Sequence, residues 1–443
     1  MKFTRIGSFL CFSLGIFSAS AQDLHLAKVD SLVTLIEDNN RSIGSLVIWK
    51  NGEELYKRDF GQREIPEQQH NQQTKYKIGS ITKTYTAVLI FQLVENGRLS
   101  LDDKLEKFFP EMPGAKEITI RQMLNHTSGL GDYAWKKSNP DWLNKKVTEQ
   151  QILKEIKRQG LVSKPGEKEE YSNSAYYLLA KIAEKVYNND FGTLIREQIC
   201  EPLGLKNTAS LLTDPGNVYE SFEYNQQGKW AHVEDFYFPN TKGAGDIVAT
   251  PEDLLKFINA LFHYQLLKKE TVELMKPLVE QDEYFGRGLM QIPMRTQLLL
   301  GHGGDTKGTH SLLGYNEKDS VSIALLINGQ RYTRNQFLLG VLSCIYEEPF
   351  DFPEFNQVAV SAEELDQYVG VYSSPELPIK ITVSHEKEQL YLQGTGQPAI
   401  PMEAYEKRKF QFEKAGVKVE FVPETNTMHF RQGGIKIEMK REK

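Results

Sequence analysis

Ser80-Ile81-Thr82-Lys83 opens a long apolar run, and it is the smallest unit in the chain able to do covalent chemistry. A serine hydroxyl is a weak nucleophile at neutral pH and needs a base within hydrogen-bond reach. On a helix, Lys83 lies one turn from Ser80 on the same face, so the two side chains meet. The apolar neighbours of Lys83 bury it in part, and burial lowers a lysine pKa toward that of a usable base. The same spacing recurs at Ser384-His385-Glu386-Lys387, in a polar turn between two strand-like segments, so context separates the two. For the motif alone the competing reading is a surface Lys83 with Ser80 as a plain N-cap.

Two more elements follow at wide intervals. Tyr171-Ser172-Asn173 comes after Pro165-Gly166 and just before a helical pattern, which places it in a loop. A tyrosine near a lysine ionises partly and serves as base to the serine or acid to the leaving group. Asn173 is placed to bond Lys83 or a substrate amide. A Tyr packed on the core in an ordinary turn is the bland alternative, and Tyr187-Asn188-Asn189 repeats the spacing. His302-Gly303-Gly304-Asp305 follows apolar Leu298 to Leu300 on or at the end of an edge strand, where glycines let a substrate backbone approach closely. The backbone N–H groups of Ser80 and Asp305 together form an expected oxyanion hole. A glycine-rich turn with a structural histidine is the alternative there. The nine histidines show no close ligand pair, so neither a metal nor a cofactor is expected.

Elements that would position these residues are legible from periodicity. Leu24 to Glu37 is helical, and strands at Ser45 to Trp49 and Glu54 to Tyr56 flank an Asn51-Gly52 turn. A helix runs from Ser80 to Glu95 and ends at Asn96-Gly97. Helices follow at Thr148 to Gln159, at Ala175 to Val186 and from Thr250-Pro251, with sparse strand signals between residues 100 and 270. Strands return at Thr309 to Tyr315 and Ser320 to Ile327, followed by a helix from Gln336 to Tyr346. The ends of this region thus supply its sheet and its middle supplies helices. Pro349 and Pro353 mark a linker, and from Ser361 six short segments alternate apolar and polar residues, which reads as a small antiparallel barrel or sandwich. The expected division is 1–21, 22–348, 349–360 and 361–443.

Residues 1–21 have the pattern of a secretory signal: Lys2 and Arg5, an apolar stretch from Phe9 to Phe17, and Ala19-Ser20-Ala21 before Gln22. Cys11 lies inside the apolar stretch, so soluble export rather than lipidation is expected. The expected location is periplasmic or extracellular. No later stretch reaches the ~18 continuous apolar residues of a membrane helix. Removal of Lys2 and Arg5 from 53 basic residues leaves 51 against 59 acidic ones, a net of −8, which disfavours nucleic acid as a partner. Cys200 and Cys344 would remain, as one bridge or two buried thiols.

Taken together and in order, the three elements resemble the serine beta-lactamase and penicillin-binding-protein superfamily, in the branch of class C beta-lactamases, D-Ala-D-Ala carboxypeptidases and related esterases. Leu124-Asn125-His126-Thr127-Ser128-Gly129-Leu130, Pro202-Leu203-Gly204-Leu205 and Gly243-Ala244-Gly245-Asp246 add to the resemblance, which covers about residues 26 to 348. It implies an α+β fold with an antiparallel sheet flanked by helices. It also implies Ser80 as nucleophile, Lys83 and Tyr171 as base pair, Asn173 as their positioner, and His126 as structural. The C-terminal part, from Tyr368-Val369-Gly370-Val371-Tyr372, looks like the small lipocalin-like barrel often appended to such hydrolases. Where penicillin-recognising relatives carry Lys-Thr-Gly, this chain has His302-Gly303-Gly304, and a histidine titrating near neutrality holds an anion less firmly. The expectation is an exported serine hydrolase of small ester, amide or D-amino-acid peptide substrates, of undetermined oligomeric state. A periplasmic D-Ala-D-Ala carboxypeptidase or weak beta-lactamase is the first alternative, and a non-catalytic peptidoglycan-binding sensor the second.

Overall fold

A computed structural model describes residues 19–65, 71, 73–134, 141–212, 216–225, 228–278, 283–356, 358–412, 415–432 and 435–442. Most of the signal-like segment, with Cys11, lies outside these residues. The first element is helix α1 (Ala19–Asp38). Strands β1 (Ser42–Lys50) and β2 (Glu53–Phe60) follow as a hairpin, with Asn51 at φ 54° and Gly52 at φ 80°, the left-handed pair that a tight hairpin turn requires.

The main sheet has eight strands. β3 (Ser221–Tyr224) and β4 (Trp230–Val233) form a small hairpin, and β5 (Met290–Met294), β6 (Gln297–Asp305), β7 (His310–Asn316) and β8 (Val321–Gln330) are consecutive and antiparallel. The spatial order is β2-β1-β8-β7-β6-β5, with β3 joining β8 in parallel through Gly329 and Phe222. The first and last strands of the domain are therefore neighbours. The sheet is buried on both faces, and the period of two sorts its residues between them. Leu46, Ile48, Ile323, Leu325 and Ile327 pack against α1 and helix α5 (Arg334–Ile345), whereas Val47, Ala324 and Leu326 face the larger core.

That larger core encloses helix α2 (Thr82–Glu95), helix α3 (Asn173–Tyr187) and helix α4 (Pro251–Phe262). α2 is buried almost all round, from Thr82 to Phe91, as expected of a helix apolar on every side. The sparse strand signals between residues 100 and 270 correspond to short pieces: β3, β4 and a three-stranded sheet of Tyr76–Lys77, Ile247–Ala249 and Ala209–Ser210. Pieces of two to four residues are too short to show an alternation. Cys200 and Cys344 are both buried and free, which settles the question left open by their number.

The C-terminal region closes into an eight-stranded antiparallel barrel: β9 (Gly370–Ser374), β10 (Leu377–Glu386), β11 (Gln389–Gly394), β12 (Ile400–Glu406), β13 (Lys409–Phe412), β14 (Val417–Val422), β15 (Thr427–Gln432) and β16 (Ile435–Arg441). Six of these are the alternating segments of the sequence, and β9 and β12 are additional. The interior is filled by side chains, with Tyr368 stacked on Phe421 at 4.5 Å and Phe410, Met402 and Met428 around them. Ser384 and Lys387 lie on the β10–β11 hairpin of this barrel, away from the apolar environment that the first Ser-x-x-Lys motif has.

Candidate active site

Ser80 sits on a 3-10 turn, Gly79–Ile81, that leads into α2, rather than on the first turn of an α-helix. The tighter turn still delivers the pair: Lys83 Nζ and Ser80 Oγ are hydrogen-bonded at 2.9 Å. Lys83 also donates to Asn173 Oδ1 at 2.7 Å and to the Ala244 carbonyl at 2.8 Å. Its side chain is fully buried, not partly as the sequence suggested, because every turn of α2 around it is covered. Burial lowers its pKa from the ordinary 10.5 to about 7, against the opposing charge of Asp132.

The Tyr171-Ser172-Asn173 element is a helix start. Ser172 caps α3 by accepting from the Ala175 N–H, so Asn173 is the first helical residue and Tyr171 lies just outside. Tyr171 OH donates to Ser80 Oγ at 2.8 Å. Its ring is stacked on His126 with centroids 4.4 Å apart, and His126 Nδ1 accepts from the Ser172 N–H at 3.2 Å. His126 is buried and held neutral, its pKa well below the usual value through burial and then the Lys83 charge. It supports the tyrosine and does not touch Ser80 Oγ. Burial pushes the Tyr171 hydroxyl well above its ordinary pKa, which corrects the expectation that this tyrosine is partly ionised: it stands as a neutral phenol.

Asn173 is oriented by Asp132, a residue the sequence reading did not single out. Asp132 accepts from Asn173 Nδ2 at 2.8 Å and from the Asn173 N–H at 3.3 Å, which turns Oδ1 toward Lys83. Asp132 lies two residues beyond the Leu124–Leu130 landmark, and its only local signal is that proximity. The carbonyl of Ala244 comes from the third landmark, Gly243-Ala244-Gly245-Asp246. Asp246, fully buried, accepts from the Gly243 N–H at 2.7 Å and holds this turn, and burial raises its carboxyl to about 6.

His302, Gly303, Gly304 and Asp305 form the end of β6. This strand is interior as far as Gly301, which pairs with Met290 of β5; from His302 onward only the β7 side is paired within the sheet. The expected edge is therefore the last four residues of an interior strand. That free edge lies against the Ser80 turn. A Cβ on Gly304 would fall 1.9 Å from the Ile78 carbonyl, so only glycine allows the approach, and Ser311 Oγ clips the same carbonyl at 2.7 Å. A Cβ on Gly79 would fall 3.0 Å from the Asp305 N, which brings the Asp305 amide beside the Ser80 backbone.

His302 is 4% exposed, with Nδ1 2.5 Å from the Gly303 carbonyl oxygen. Burial, and next the Lys83 charge, lowers its pKa to about 3. The expectation that it titrates near neutrality is thus corrected: it is a neutral group. The nearby fixed cation is instead Arg334, at the start of α5, bonded to the Gly304 and Ser311 carbonyls and to the Asp305 carboxylate at 3.2 Å. A single arginine 29 positions from its partner carries no sequence signal.

Gly79 supports a test of this arrangement. It holds φ +51°, so alanine there is strained by about 1–2 kcal/mol and also pushes on the Asp305 amide. Gly79→Ala is expected to lower the melting temperature by several degrees and kcat by at least about tenfold. An enzyme with unchanged kcat would show that the Asp305 amide has no part in the reaction. Thermal denaturation and initial-rate kinetics measure both.

A weak nucleophile flanked by a buried amine of lowered pKa and a neutral phenol, in the lining of a cleft of about 420 Å³, is the arrangement of an acyl-transferring hydrolase. The family comparison agrees. The beta-lactamase family model matches residues 29–339, and the chain belongs to that family. It is a serine hydrolase of the beta-lactamase and penicillin-binding-protein superfamily. Penicillin-binding protein 4* of Bacillus subtilis (strain 168) is 26% identical over 421 residues, covering 89% of this chain and 93% of the relative. The teichoic acid D-alanine hydrolase of Staphylococcus aureus is 28% identical over 304 residues, 66% of this chain and 72% of the relative. Among solved structures, D-amino acid amidase from Ochrobactrum anthropi SV3, complexed with L-phenylalanine amide, superposes with TM-score 0.66 at 26% identity over 73% of this chain and 99% of its own. The octameric penicillin-binding protein homologue from Pyrococcus abyssi shares the fold over 94% of this chain and all of its own, with TM-score 0.67 at 23% identity. Among the described residues, no group of His, Cys, Asp and Glu is placed to hold a metal, and no helix is long and apolar enough to cross a membrane.

Proposed function

We propose that this chain is an exported serine hydrolase in which Ser80 attacks an ester or amide carbonyl, forms an acyl-enzyme and releases it to water. The observation that carries the reading is the hydrogen-bond count at Lys83. A neutral amine has two N–H donors and one lone pair. Asn173 Oδ1 and the Ala244 carbonyl can only accept, so they take the two donors and leave the lone pair directed at the Ser80 hydroxyl. Lys83 is then the base for acylation. Tyr171, protonated and 2.8 Å from Ser80 Oγ, gives its proton to the departing oxygen or nitrogen, and the Lys83 ammonium, which holds the proton taken from the serine and lies over the Tyr171 ring at 4.8 Å, restores the phenol. The Ser80 and Asp305 N–H groups stabilise the carbonyl oxygen as it gains charge. His302, Gly303 and Gly304 guide the substrate along the free end of β6.

The neutral His302 and the Asp305-paired Arg334 favour substrates without a carboxylate to be captured there, and so an ester, an amide or an internal D-amino-acid peptide bond over a beta-lactam. The division into a hydrolase domain at 22–348, a linker at 349–360 and a lipocalin-like module at 361–443 belongs to the same proposal, as does delivery to the periplasm or beyond by residues 1–21. The filled barrel interior supports a packing role for the module rather than ligand carriage.

Intact-mass analysis of wild type and Ser80→Ala tests the reading, after exposure to a fluorophosphonate and, separately, to benzylpenicillin. A fluorophosphonate adduct on wild type alone is expected, with no lasting penicilloyl adduct. A lasting penicilloyl adduct would move the assignment to a penicillin-binding carboxypeptidase, and an adduct retained by Ser80→Ala would remove Ser80 from the chemistry.

A further inference from the structure

The walls of the cleft define what kind of acyl group it accepts. Tyr284 and Phe285 line it beside Tyr171, with the Phe285 ring 5.4 Å from the tyrosine ring, and Tyr133, Leu143, Phe236 and Phe238 complete an apolar enclosure. Phe236 is held in place by Asp235, which accepts its N–H at 2.8 Å and also binds Thr306 Oγ1 at 2.9 Å on the β6–β7 turn. Among the described residues, the two charged side chains at the lining, Asp305 and Arg334, are each engaged from within. The Asp305 carboxylate is shared by His310 Nδ1 at 2.7 Å and Arg334 at 3.2 Å, and Arg334 is itself engaged by two carbonyls. Lys83 is buried behind Ser80, its two N–H donors taken by Asn173 Oδ1 and the Ala244 carbonyl. Asp132 faces away behind Asn173, its oxygens taken by the N–H of Ala134, the N–H of Asn173 and Asn173 Nδ2.

A free ammonium on the substrate would meet aromatic rings and, among the described residues, one lining carboxylate already shared by His310 and Arg334, and what the ring faces return is less than the cost of stripping its water. Given the reading of Ser80 as the acylated residue, we infer that the cleft selects an uncharged acyl group bearing an aromatic or branched apolar substituent, its amino nitrogen acylated or absent. This sets the chain apart from a hydrolase of free D-alanyl esters, whose small acyl group carries an ammonium.

Three p-nitrophenyl esters with one leaving group test it: the acetate, the phenylacetate and the permanently cationic trimethylammonioacetate, each corrected for its hydroxide-catalysed rate and measured on wild type and Ser80→Ala. The phenylacetate is expected to exceed the acetate in kcat/KM by at least about tenfold, and the cation to fall below the acetate. Ser80-dependent acetate turnover with no phenylacetate advantage, or with the cation preferred, overturns this inference and leaves the nucleophile assignment standing. Ester turnover that ignores Ser80 overturns the assignment, and the inference with it.

Discussion

Ser80→Ala is expected to lower kcat/KM toward a p-nitrophenyl ester by at least about 10⁴-fold, because removing a nucleophile leaves only binding and oxyanion stabilisation. The loss should come with little change in stability. Ser80 lines the cleft, and removal of its hydroxyl frees Lys83 Nζ and Tyr171 OH from one bond each while Asn173 Oδ1 and the Ala244 carbonyl keep their donor. A change within about 1 kcal/mol follows. Steady-state kinetics and a thermal melt on one preparation measure the two effects. An active Ser80→Ala, or one inactive through unfolding, would defeat the argument.

Lys83→Met is expected to lower kcat/KM by about 10²- to 10⁴-fold, the usual worth of a positioned general base. In wild type the rate should rise with pH through about 7 as Lys83 loses its proton, and the variant's residual rate should lack that limb. The substitution also carries a signature in stability. Folded Lys83 titrates near 7 and the unfolded side chain near 10.5, so between these values the unfolded chain holds a proton that the folded one does not. Wild-type stability relative to Lys83→Met therefore rises with pH across that window and is level on either side of it. The two carbonyl oxygens left without a donor in the variant lower its stability equally at every pH, so they do not alter the slope. Denaturant titrations at pH 7 and pH 10 read the difference. A flat comparison would mean that Lys83 keeps its proton in the folded enzyme.

The local parts of the site were legible in the chain and the distant parts were not. Ser80 with Lys83, and Tyr171 with Asn173, each sit within one turn of structure, so their spacing carries their geometry. Asp132 reaches Asn173 from 41 positions away and Arg334 reaches Asp305 from 29, and each is a lone residue of a common type. What burial does to charge was also hidden. Periodicity places Lys83 in an apolar helix, yet the neutral states of Tyr171 and His302 depend on packing by elements far apart in sequence. In the barrel, the two strands missed by alternation are β9, whose register shifts between Tyr372 and Ser374, and β12, shifted between Ala404 and Glu406. A bulge breaks the period of two on which the pattern rests. The hairpin of β1 and β2, which carries its turn in Asn51-Gly52, is legible as a hairpin, with its strands read as Ser45 to Trp49 and Glu54 to Tyr56 inside the longer Ser42–Lys50 and Glu53–Phe60.

The adjacency of β1 and β8 in the main sheet sets an order of assembly. Ser80 and Lys83 meet as soon as one turn of helix forms, but Ser311 fastens β7 to the Ile78 carbonyl across 233 residues, and β1 pairs with a strand made near the end of the domain. Long loops must close before those contacts contribute, which makes such pairings late and slow. A nascent chain thus carries an aligned serine and lysine well before it has a place for the carbonyl oxygen. The site is therefore complete only once the strands made last in this region have paired.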